Sequence, residues 1–226
     1  MSNIINVFTA PTKVFTGLKE NPKWVMPFIV VILIVAIFTG VFSGIVRSGE
    51  EAMAQQEEML KERGYTDEQI EQVRQMSTGP LAAVFAGIGG AIFTGIMLLL
   101  FALILNLFIP LFGGTSGYKQ VMAVICFSFF VTVPGMILKV ILALITKSPF
   151  VTTSLALFAP GIDKMSFLFR FLNGFDFFVI WEMILVALGI SITNDVKKSS
   201  AYVFVFIIFI ISAFVGTALQ SLGGAR

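Results

Sequence analysis

Histidine is absent from the chain, and cysteine occurs once, at Cys126. Without an imidazole there is no His-containing zinc site, no Ser-His-Asp triad and no Cys-His dyad, so most familiar membrane hydrolases are disfavoured. A lone cysteine cannot close an intramolecular disulfide, and Cys126, inside an apolar run, reads as a small buried hydrophobe. Charge is also scarce. Asp, Glu, Lys and Arg make up 12% of the residues, the formal net charge is +2, and the basic residues are scattered. That pattern sets nucleic acid aside as a partner. Missing from the amino end is a short apolar region followed by a small-residue cleavage site, so the first apolar run is expected to stay as a helix.

In place of these the chain has 57% apolar residues, 25 of them Phe, and a mean hydropathy of +0.96. About 20 apolar residues cross a hydrocarbon core, so 226 residues hold several spans and one modest loop. Charge-free stretches run from Lys23 to Arg47, from Arg74 to Lys119 and from Lys198 to Arg226. They and the remaining apolar runs predict spans at 25–46, 80–111, 120–146, 175–193 and 200–221, the fourth being the shortest. The expected fold is an all-α integral membrane protein, a bundle of five transmembrane helices with short interfacial helices. Its parts are an amino-terminal interfacial segment (1–24), a membrane domain (25–221) and a tail (222–226).

Within the membrane domain, residues 47–79 form a polar loop holding eight of the thirteen acidic residues. Ser48 with Glu51, and Thr66 with Gln69, fit capping boxes, and Gly64 lies where a helix would stop, so two short helices are predicted. Ile70, Val73 and Met76 share a face of the second. A solvated hairpin and a partner-docking arm are the two readings. Residues 147–173, divided by Pro149 and Pro160, predict an interfacial helix with Lys164 and Arg170 at the headgroups. At the amino end Pro11 opens a helix whose Val14, Phe15 and Leu18 share one face, expected to lie flat on the bilayer.

Ala36, Gly40 and Gly44 are spaced by four on the first span, as are Ala83, Gly87, Ala91 and Gly95 on the second. Such stripes let helices approach closely, within one chain or in a homo-oligomer. Three ionisable residues fall in the spans: Lys139, Asp176 and Glu182. Each asks for a partner or water. Lys139 and Glu182 have nearly the same depth, roughly 10 Å from one end at ~1.5 Å per residue, so a structural pair and a solvated pathway are both open. Asp176 points about 120° away from Glu182, which disfavours a carboxylate pair. The turn from Gly113 to Gly117 lacks the spacing of a phosphate-binding loop and joins two spans. Pro134 is expected to kink the third span and free a carbonyl. Basic density predicts a cytoplasmic amino end.

The opening FTAPTKVFTGLKENPKW, the turn GGTSGYKQ ahead of a span with a central Pro134, and FDFFVIWEMILVALGI before a short basic loop together resemble the Yip family, named for interaction with Ypt/Rab GTPases. Gly114, Gly117, Tyr118, Pro134, Phe175, Asp176, Trp181 and Gly189 fall in the expected order. The resemblance implies a five-span helical domain with a cytoplasmic amino end, and it implies neither an enzyme nor a cofactor. Eukaryotic relatives carry a longer cytosolic amino-terminal region. The 24 residues here weigh against a Rab-type GTPase partner and suit a prokaryotic plasma-membrane member. Membrane lipids, a protein partner or a second copy are the partners expected. The leading functional expectation is a non-enzymatic scaffold or adaptor, and the alternative is a small transporter or channel using Lys139, Glu182 and Asp176.

Overall fold

The computed structural model describes residues 2–47, 49–164 and 166–223, and no β-strand occurs among them. Eleven α-helices are described: α1 (Ser2–Thr9), α2 (Pro11–Glu20), α3 (Val25–Val41), α4 (Glu50–Glu62), α5 (Asp67–Ser77), α6 (Gly79–Phe108), α7 (Tyr118–Phe129), α8 (Val133–Thr146), α9 (Phe167–Asn173), α10 (Phe177–Thr193) and α11 (Lys198–Gly223). A π-helical stretch, Phe42–Arg47, continues α3, and a 3₁₀ turn, Ile109–Phe112, carries Pro110 at the end of α6. Four helical stretches are long and apolar enough to cross a bilayer, Val25–Val46, Gly79–Phe112, Tyr118–Thr146 and Lys198–Ser221. The fifth, α10, has 17 residues, at the lower limit for a span. Outward faces are apolar as well. Ile29, Leu33 and Ile37, spaced by four on α3, are all about half exposed or more, which suits hydrocarbon rather than water.

The chain forms two compact units, one comprising residues 1–31, 95–135 and 153–226 and the other residues 32–94 and 136–152. At the centre of the first lies α7, whose residues 121–129 are all buried. A helix apolar on every side needs protein on every side. Here α10, α2 and α1 supply it. The amphipathic face of α2 forms as its sequence indicates, with Val14, Phe15 and Leu18 buried. α10 and α7 pack against this helix. Between α7 and α8, Phe130–Thr132 form a 3₁₀ turn. The Phe130 carbonyl that Pro134 leaves without its helical donor accepts instead from the Val133 N–H, so no carbonyl is freed there.

In the second unit the two small-residue stripes face each other. A Cβ added to Gly87 would lie 2.7 Å from the Ala36 carbonyl oxygen, and one on Gly40 would lie 3.1 Å from that of Ala83. Gly44 reaches the Ala83 side chain in the same way. Ala91 is buried further along α6, while Gly95 falls where α6 enters the first unit. Backbone-to-backbone approach of this kind permits Cα–H···O contacts and dense packing in lipid.

The polar loop folds as a hairpin of α4 and α5. Thr66 and Gln69 make both bonds of a capping box, and Gly64 takes a left-handed φ of 79°. Gly49 is the N-cap of α4, with no side-chain bond. Ser48 of the other expected box lies outside the described residues. Ile70 closes the seam, whereas Met76 is exposed. Between the third and fourth spans, Leu155–Phe158 form a 3₁₀ turn and α9 is capped by Ser166, whose hydroxyl accepts from the Phe169 N–H.

Candidate functional site

Both ends of α10 in the first unit are fixed by polar side chains. At its start Asp176 is the N-cap, its carboxylate accepting from the Phe178 N–H at 2.9 Å and from the Thr153 hydroxyl. An acidic cap also favours the positive end of the helix dipole. The flanking backbone pairs in antiparallel fashion, Phe177 N–H to the Thr153 carbonyl and Leu155 N–H to that of Phe175, each at 3.1 Å. Ser154, buried beside them, donates to Asn173 Oδ1 at 3.0 Å. Asp176 thus ties the 153–155 segment to the fourth span.

At the far end the turn from Gly113 to Tyr118 meets Asn194. Gly113 adopts a left-handed φ of 77°. A side chain on Gly114 would run into Val196 and come within 2.7 Å of the Asn194 carbonyl oxygen. The two segments of this junction exchange bonds: Thr115 N–H donates to the Asn194 carbonyl at 2.8 Å, and Asn194 Nδ2 donates to the Thr115 carbonyl at 3.0 Å. Thr193 donates to Asn194 Oδ1, and Gly117 N–H donates to Asn106 Oδ1 at 2.8 Å. The Tyr118 hydroxyl lies 3.4 Å from the Leu99 carbonyl. Asp195, at a left-handed φ of 58°, pairs with Lys19 at the end of α2.

Between these ends the remaining family-pattern residues pack. Gly189 sits against Val124, where any side chain would push α10 off α7. Phe175 meets the rings of Phe171 and Phe209, with centroids 5.1 and 5.3 Å apart, and Trp181 makes an edge contact with Phe8 of α1. Pro134 follows the 3₁₀ turn, and Gly135 abuts the Phe178 ring. Glu182 is buried on α10 in this unit.

Of the three intramembrane ionisable residues, Asp176 and Glu182 belong to the first unit and Lys139 to the second. Lys139 belongs to the second unit, where it borders an open groove of ≈ 250 Å³ with Thr39 and Ser43, and neither Glu182 nor Asp176 lines that groove. Asn106 and Asn194, which sequence reasoning had not singled out, are the side chains that hold the GGTSGY turn. Among the described residues, no three His, Cys, Asp or Glu side chains converge as metal ligands would.

Apolar helices of spanning length, outward apolar faces and polar groups used to fasten helix ends define a polytopic α-helical membrane protein. A Yip1-domain model matches residues 5–219, and the chain belongs to that family. It is similar to the membrane protein YknW of Bacillus subtilis (strain 168), with 28% identity over 230 residues covering 99% of this chain and 93% of the relative. No solved structure matches significantly.

Proposed function

We propose that this Yip1-family protein is a non-enzymatic adaptor or scaffold of a bacterial plasma membrane, with its amino end cytoplasmic and its α4–α5 hairpin as the docking arm. The hairpin carries the reading. Glu50, Glu58, Glu62, Asp67, Glu68 and Glu71 are exposed on it, and Arg74 pairs with Glu57 at 3.5 Å across its two helices. The seam is closed by Ile70, and the ends lead directly into α3 and α6. A hairpin that is folded before it meets a partner loses little conformational entropy on binding. Its acidic face suits a basic partner surface by charge complementarity. The test places a photo-crosslinking residue at Glu58 or Glu71 in native membranes. A reproducible adduct to a membrane or peripheral protein, lost on reversing Glu62 and Glu68 to Lys, is expected. Adducts no stronger than those from a lipid-facing position such as Leu33 would refute the docking role.

A further inference from the structure

The groove beside Lys139 continues along α8. Met136, Lys139, Val140, Ala143, Leu144 and Lys147 recur at the spacing of one helix face, and they line two openings in succession, of ≈ 250 and ≈ 330 Å³. The facing wall is α3 with its π-helical continuation, through Phe38, Thr39, Phe42 and Ser43 in the first opening and Ile45 and Val46 in the second. A π-helical turn is wider than an α-turn and recurs at functional sites. Both openings are unsealed, their walls are mostly apolar, and both lie within the second unit.

Charge selects the occupant. Two lysines lie on the stripe, eight positions apart and so about 12 Å along the axis; Lys147 follows the last helical residue, and Lys139 is two turns deeper. Among the described residues that line the outer opening, Glu50 is the acid, and it is exposed. A soluble anion would gain nothing from the apolar walls. A zwitterionic lipid would fill the walls but bring its own cation to the lysines. We infer that the α3–α8 groove seats an anionic phospholipid, one acyl chain along the apolar wall and the phosphate held by Lys147, with Lys139 extending its charge along the groove. A long stem lying on apolar surface with the ammonium directed to a polar group is ordinary lysine behaviour at membrane depth.

The experiment uses the full chain in detergent and follows thermal unfolding and retained lipid, by native mass spectrometry, against phosphatidylglycerol, phosphatidylcholine and inorganic phosphate. Phosphatidylglycerol should be retained and raise Tm, with a preference over phosphatidylcholine that falls about fivefold in Lys139→Gln and again in Lys147→Gln. Lys139→Arg and Lys147→Arg should keep it, as should Lys164→Gln, which removes a charge outside the groove. Equal stabilisation by phosphatidylcholine would overturn the inference in the unmodified protein alone, and so would full reproduction of the shift by inorganic phosphate. A preference that survives the double Gln variant would place the headgroup elsewhere.

Discussion

Asp176 shows how the cost of a charge in a membrane is met by local geometry. Its carboxylate satisfies the first turn of α10 and the Thr153 hydroxyl, so Asp176→Ala should lower stability by about 1–2 kcal/mol in thermal or denaturant unfolding in detergent. Asp176→Asn, which keeps an acceptor, should lose less; equal losses would show that the cap contributes little. Asn194 is the matching device at the far end, and Asn194→Ala, which removes the side-chain donor to the Thr115 carbonyl and leaves the Thr193 hydroxyl only its Gly189 acceptor, should cost about 1–3 kcal/mol. Removing the exposed Lys19–Asp195 pair should cost under about 1 kcal/mol. The cap was legible in part, because an Asp just ahead of an apolar run is a helix-start signal. Counting Asp176 inside the fourth span hid that signal. Asn194 was not legible: its carbonyl partner is 79 positions away, and no local pattern announces so distant a bond.

Helix boundaries followed closely from the charge-free runs, since hydrocarbon thickness sets how long an apolar stretch must be. What covers each face did not. The stripe Val14, Phe15 and Leu18 reads the same whether lipid or protein lies opposite, and only the fold places α10 and α7 there. The small-residue stripes had a comparable ambiguity between neighbours in one chain and in two. In the structure α3 and α6 use them on each other, so Gly87→Leu should separate the two backbones, lowering stability by roughly 1–3 kcal/mol as overpacked sites do. The comparison is Gly89→Leu, two residues on, where an added Cβ meets nothing within 4 Å. Melting and size-exclusion profiles should change for Gly87→Leu alone. Equal tolerance of both would mean that the stripes do not pack.

For the whole molecule, the number of crossings turns on α10, whose 17 residues fall short of the four longer apolar stretches among the described residues. Its opposite ends are fastened to different connections, Asp176 to the segment that follows the third span and Asn194 to the turn that precedes it. We propose that a helix held in that way traverses the same layer as a fifth crossing; chain order alone would then put residues 50–77 and Asn194 on opposite sides of the membrane. The most direct measurement is the accessibility of single introduced cysteines to a membrane-impermeant maleimide in sealed vesicles, before and after permeabilisation. Cys126 is fully buried and should stay silent. Ser116→Cys and Lys197→Cys should label from one side, and Glu58→Cys and Lys164→Cys from the other. Labelling of Lys197→Cys and Lys164→Cys from the same side would contradict the five-span account.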